Sequence, residues 1–64
     1  MMVQVEFQFG LGDTVINVPT GKEGTVCDLW IDYDKVIWIN VRTVTDMGDL
    51  RYNWLREEDV VAGP

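Results

Sequence analysis

Thr25-Val26-Cys27-Asp28-Leu29-Trp30-Ile31-Asp32 and Val36-Ile37-Trp38-Ile39-Asn40-Val41-Arg42-Thr43-Val44, joined by Tyr33-Asp34-Lys35, form the stretch that decides the fold. β-branched and aromatic residues fill both runs and turn-forming residues separate them, so the stretch reads as a hairpin of two long strands. With Asp34 at the tip, Ile31 faces Ile37, Trp30 faces Trp38 and Leu29 faces Ile39. This register gathers the aliphatic residues of both strands on one face, and a slip of one residue breaks the match. Cys27 falls on that aliphatic face, where it reads as a small buried hydrophobe. Trp30 and Trp38 fall on the opposite face.

Upstream, Val3-Gln4-Val5-Glu6-Phe7-Gln8-Phe9 alternates strictly between apolar and polar residues and predicts an N-terminal strand over residues 3–9. Gly10-Leu11-Gly12-Asp13 is a turn, Thr14 to Val18 a second strand that Pro19 ends, and Thr20-Gly21-Lys22-Glu23-Gly24 a turn with two glycines available for positive φ. Downstream, Thr45-Asp46-Met47-Gly48 is a turn and Asp49 to Trp54 a strand. Pairing Val44 with Asp49 predicts Val41 opposite Tyr52 and Ile39 opposite Trp54 on the core side. On the other side, Arg42 then faces Arg51 and Asn40 faces Asn53. Leu55-Arg56-Glu57-Glu58-Asp59 is too short for an α-helix and reads as one 3₁₀ turn. Val60-Val61 follows as a short closing strand, with Ala62-Gly63-Pro64 as a frayed end. The expectation is an all-β chain of five to six short strands with one 3₁₀ turn before the last: a single domain over residues 1–64, its N-terminal strand at 3–9 and its barrel core at 10–61.

Gly12-Asp13-Thr14-Val15, then Gly21-Lys22-Glu23-Gly24-Thr25-Val26, the Val/Ile/Trp strand, and Trp54-Leu55-Arg56-Glu57-Glu58-Asp59-Val60 resemble the SH3-like small β-barrels. The first half is similar to a KOW-type motif. The resemblance implies the fold; barrels of this kind serve many unrelated functions. Phe9-Gly10-Leu11-Gly12-Asp13-Thr14-Val15 is also similar to the Phe-Gly-Met-Gly-Asp-x-Val segment of the type II plasmid-encoded dihydrofolate reductases, short SH3-like chains that assemble around a pore. Where that family carries a Val-Gln-Ile-Tyr segment this chain reads Leu50-Arg51-Tyr52-Asn53, so the resemblance carries over the fold and a tendency to oligomerise, without the catalytic motif.

The 64 residues hold 11 Asp plus Glu, 5 Lys plus Arg, one Cys and no His, for a net charge of -6. One cysteine excludes an internal disulfide, and the lack of histidine excludes a Cys/His zinc site and a histidine-based triad. Asp32 with Asp34 and Glu57-Glu58-Asp59 fall in turns, where carboxylates stay solvated, so no catalytic pair, metal site or cofactor is expected. An acidic chain repels phosphate, which disfavours nucleic acid as a partner despite the KOW-like pattern. No apolar run approaches the roughly 18 residues of a spanning helix. The N-terminus shows no secretory pattern, and the lone Cys suits a reducing compartment, so a cytoplasmic chain with no membrane contact is expected.

The remaining candidate is a surface. Trp30, Val36, Trp38, Asn40, Arg42, Arg51 and Asn53 are expected on one outward face, a mixture rich in the residue types that dominate binding hot spots. The expected function is that of a non-enzymatic protein-interaction module or small accessory subunit, of phage or mobile-element origin, that binds a protein partner or itself. The acidic remainder favours a basic partner. An oligomeric pore protein of the reductase kind and a nucleic-acid-associated protein are the alternatives.

Overall fold

A computed structural model describes residues Glu6–Pro64. Five strands and one short helical turn follow in the order β1 (Thr14–Asn17), β2 (Lys22–Ile31), β3 (Ile37–Val44), β4 (Leu50–Arg56), a 3₁₀ turn (Glu57–Asp59) and β5 (Val60–Ala62). All pairings are antiparallel and the spatial order is β4-β3-β2-β1-β5. The last strand thus returns past the 3₁₀ turn to lie beside the first, the arrangement of an SH3-like small barrel, with five strands among the described residues.

The hairpin that decides the fold has the expected register, with Ile31 opposite Ile37, Trp30 opposite Trp38 and Leu29 opposite Ile39. β2 is the longest strand because it serves two partners. Its first residues, Lys22 to Thr25, pair with β1, and the stretch from Thr25 to Ile31 pairs with β3, with Thr25 held on both sides. Lys22, Glu23 and Gly24 therefore belong to a strand and not to the turn expected from the two glycines. Gly24 is buried opposite Val15, and a Cβ there would stand 2.3 Å from Val41 Cγ1 and 2.8 Å from the Arg42 carbonyl oxygen. Its lack of a side chain lets β2 pass close over β3 as the sheet bends.

A register shift between Val26 and Asp28 makes Cys27 the extra residue of a β-bulge. The bulge turns Val26 inward opposite Val41 while Leu29 stays inward opposite Ile39. Cys27 is exposed, contrary to the burial expected of it, and its Sγ–H donates to the Asn40 carbonyl at 3.3 Å. Without the bulge, strict alternation from Leu29 would carry Glu23 into the core, a cost that one extra residue avoids.

The second hairpin corrects the sequence reading by one residue. Val44 pairs with Leu50 and not with Asp49, so Thr43 faces Arg51, Arg42 faces Tyr52, Val41 faces Asn53, Asn40 faces Trp54 and Ile39 faces Leu55. The loop sets this register. The Thr45 N–H donates to the Asp49 carbonyl at 2.8 Å, the Gly48 N–H to the Thr45 carbonyl at 2.9 Å and the Asp49 N–H to Thr45 Oγ1 at 3.0 Å. Gly48 occupies the left-handed region at φ 85°, so only Asp46, Met47 and Gly48 lie outside the ladder.

The core is Val15, Val26, Ile39, Val41 and Val60, with Phe9, Leu29 and Leu55 packed against it. Each buried aliphatic side chain contributes about 1.5–3 kcal/mol, so a core this small leaves little surplus. Two further corrections concern the ends. Residues 3–5 of the predicted N-terminal strand lie outside the described residues, and Glu6 to Phe9 form no strand. The backbone N–H groups there go to side chains, Gln8 N–H to Glu57 Oε2 and Gly10 N–H to Asp13 Oδ2, which leaves Phe9 as a single inward anchor. At the C-terminus Ala62 pairs with Val15, and the Gly63 N–H donates to the Thr14 carbonyl at 2.9 Å, so the expected fraying stops at Pro64.

Candidate functional site

Side chains alternate across a sheet, so the residues of β3 sort the molecule into two faces. Ile39 and Val41 point to the core. Trp38, Asn40, Arg42 and Val44 point outward, and their cross-strand neighbours follow them. The outer face is thus built from Trp30 and Trp38 beside Arg56, Asp28 and Asn40 beside Trp54, Thr25 and Arg42 beside Tyr52, and Val44 beside Leu50.

Trp30 of β2 and Trp54 of β4 reach across β3 to meet edge to face, ring centroids 6.0 Å apart and planes at 70°. Such a pair contributes about 0.5–1.5 kcal/mol beyond its buried area, which holds both indoles in place. Even so, Trp30 is 56% exposed, Trp54 43% and Tyr52 57%.

Trp38 is held differently. Its indole Nε1–H donates to Asp32 Oδ2 at 2.8 Å, and the Arg56 guanidinium lies 5.5 Å from the centre of its ring. The other oxygen of Asp32 accepts the N–H groups of Asp34 at 2.9 Å and Val36 at 3.0 Å. These bonds favour the ionised carboxylate, so its pKa lies below the ordinary value, with the Trp38 indole the largest cause and the Val36 N–H the next. The half-buried Trp38 is therefore locked to the β2–β3 loop, while Trp30, Trp54 and Tyr52 present their surfaces.

Of the seven residues expected on this face, the structure places Trp30, Trp38, Asn40 and Arg42 together on it. Val36 lies just before β3, half-buried, its carbonyl accepting the Asp32 N–H and its own N–H donating to Asp32 Oδ1. Arg51 and Asn53 are on the other side of β4, opposite Thr43 and Val41. The one-residue change of register moves these two away and brings in Tyr52, Trp54 and Arg56. Their signal was the alternation Leu50-Arg51-Tyr52-Asn53-Trp54, which marks an apolar side to β4 but does not say which way it points. Asn40, at the centre, has its Oδ1 enclosed without a hydrogen-bond partner.

Beyond β4 on its inner side, Arg51 and Asn53 border an open cleft of about 840 Å³ shared with Lys22, Glu23, Thr43 and Asp46. It carries two charges of each sign, Lys22 and Arg51 against Glu23 and Asp46. Among the described residues, no group of three or more Cys, Asp or Glu is placed to hold a metal ion, and no helix is long and apolar enough to cross a membrane.

No family model, curated protein or solved structure matches the chain. The KOW-like and reductase-like resemblances therefore rest on the residues quoted for them alone.

Proposed function

We propose that this chain is a protein-interaction module, and that the outer face of β2, β3 and β4 is its binding surface. The observation that supports the reading is the direction of β4. Its apolar side, Leu50, Tyr52 and Trp54, points away from the core and joins Trp30 and Trp38 on a face whose formal positive charges, among the described residues, are Arg42 and Arg56. A sheet that turns its largest aromatics outward forgoes their burial in its own core, and an exposed apolar cluster flanked by arginine is the composition of a binding hot spot. The face holds Asp28 and Asp32 as well, so it is close to neutral while the rest of the chain carries the acidic excess. The partner this suits has an apolar anchor for the Trp30/Trp54/Tyr52 surface and a basic surround that the acidic flanks steer into place. The module is proposed as non-enzymatic.

Incorporation of a photo-reactive residue in place of Trp30, compared with the same residue in place of Glu23, tests the reading in the native cell. A discrete covalent adduct with another protein at position 30 and none at position 23 is expected. Trp30→Ala combined with Arg42→Glu then weakens binding of the purified adduct partner by about 30-fold or more, the loss of a hot spot. Absence of an adduct, or salt-sensitive retention of an oligonucleotide by this same face, overturns it.

A further inference from the structure

The two edges of the sheet are unlike. β5 has three residues and its exit is tied to Thr14 by Gly63. β4 has seven residues, Leu50-Arg51-Tyr52-Asn53-Trp54-Leu55-Arg56, charged only at Arg51 and Arg56 and with no Pro, Lys or bulge, and among the described residues no strand lies on its outer side. Proteins shorten, charge or cover such an edge because it offers a row of free backbone donors and acceptors. Here the free row can be identified. The Thr45 N–H bonds the Asp49 carbonyl, and the register is unbroken from there to Arg56. Alternation then directs the backbone groups of Arg51, Asn53 and Leu55 to β3 and leaves those of Leu50, Tyr52, Trp54 and Arg56 on the open edge.

We infer that the occupant of this edge is β4 of a second copy, paired antiparallel about a two-fold axis at Asn53. A two-fold axis perpendicular to the sheet keeps outer faces together, which restricts the pairing to registers centred on one residue. Asn53 is the middle of the strand, so centring there pairs all seven residues, whereas centring on Tyr52 or Trp54 leaves two residues of each strand unpaired. The Asn53 register is also chemically self-complementary. Tyr52 lies opposite Trp54 of the second copy, Leu50 opposite Arg56, and Arg51 opposite Leu55 and diagonal to Glu57. No like charges face each other within the strand, and two aromatic pairs form on the outer side. The result is a ten-stranded sheet whose aromatic face runs through both copies. This inference rests on the strand edge and stands apart from the proposal of a foreign partner on the face.

A cysteine scan of β4 in a Cys27→Ser background, with sedimentation velocity of the unmodified chain, tests it. The two Asn53 residues form a non-hydrogen-bonded pair with Cα atoms about 4.5 Å apart, within disulfide range. Asn53→Cys is expected to oxidise to a covalent dimer about ten-fold faster than Arg51→Cys or Leu55→Cys, whose own copies lie about 13 Å apart along the strand. Tyr52→Pro, which removes an N–H from the open edge and none from the β3 ladder, is expected to weaken dimerisation about ten-fold or more with the circular dichroism unchanged. A chain that stays monomeric up to about 1 mM, or equal oxidation at the three positions, overturns the inference.

Discussion

The β2–β3 and β3–β4 hairpins close with loops of the same design and opposite outcome. In each, three residues lie outside the ladder, the third of them is left-handed, and an oxygen of the residue before them accepts the N–H of the residue after. Asp32 and Lys35 fill these places in the first loop, and Thr45 and Gly48 in the second. In the first hairpin the loop agrees with the strands, and the aliphatic side chains of both face the core. In the second it overrides the hydrophobic pattern of β4, whose apolar side turns outward. The loop therefore decides which side of β4 is surface, and the exposed aromatic face follows from a three-residue turn.

The largest effect that separates the two faces is expected at Ile39, which is fully buried and pairs with Leu29 of one hairpin and Leu55 of the other. Ile39→Ala removes the centre of both and is expected to cost about 3 kcal/mol in urea unfolding. Trp30→Ala, next to Leu29 in the same strand but on the outer side, is expected to cost about 1 kcal/mol, the edge-to-face contact with Trp54. Equal losses at the two positions would mean that the outer aromatics belong to the core, and would remove the basis of the proposed interaction face.

The loops themselves give the next effect, with opposite signs. Gly48 is left-handed without strain, whereas Lys35 at φ 66° carries a side chain in that region. Gly48→Ala is expected to destabilise by about 1 kcal/mol. Lys35→Gly relieves that strain but loosens the unfolded chain, so it is expected to stabilise by only about 0.5 kcal/mol. A destabilised Lys35→Gly variant would show that the Lys35 side chain anchors the first loop.

The first hairpin was legible in the sequence because two aliphatic sets had to coincide, and only one register allows it. The second was not, because alternation in Leu50 to Trp54 fits either face and Gly48 is the arbiter. Thr45-Asp46-Met47-Gly48-Asp49 holds the needed information, since glycine at the fourth place suits a three-residue loop with a left-handed close. The Cys27 bulge was also written in the residues: Val26 and Leu29 are three apart and cannot both face inward on an unbroken strand. The site was legible at Trp30, Trp38, Asn40 and Arg42, which depend on the first hairpin. It was not legible at Tyr52, Trp54 and Arg56, which depend on the second. Nothing in sequence spacing announced that Asp32 would bind the Trp38 indole, a contact between a loop and a strand that exists only once the loop has closed.

That contact supplies the smallest effect, confined to acid. Asp32 is held below its ordinary pKa in the folded chain by the Trp38 indole and by the Val36 and Asp34 N–H groups. A lowered folded-state value means that the unfolded chain takes up the proton first as pH falls. The stability owed to Asp32 is thus fully present above the unfolded value of about 3.9, declines below it, and is gone once pH passes below the folded value. The other acids complicate the raw curve, because protonating them also relieves the repulsion of a chain at -6. The difference between the parent and Asp32→Asn isolates the contact. Asparagine keeps one acceptor for the loop amides but turns an amide donor toward the indole N–H, so the variant is expected to be less stable at pH 7 and to converge on the parent as pH falls below about 4. Trp38 fluorescence followed through the same titration reports the indole directly. A gap between the two chains that stays constant as the pH falls well below about 4 would show that Trp38 is held by its packing under Arg56 and not by the carboxylate.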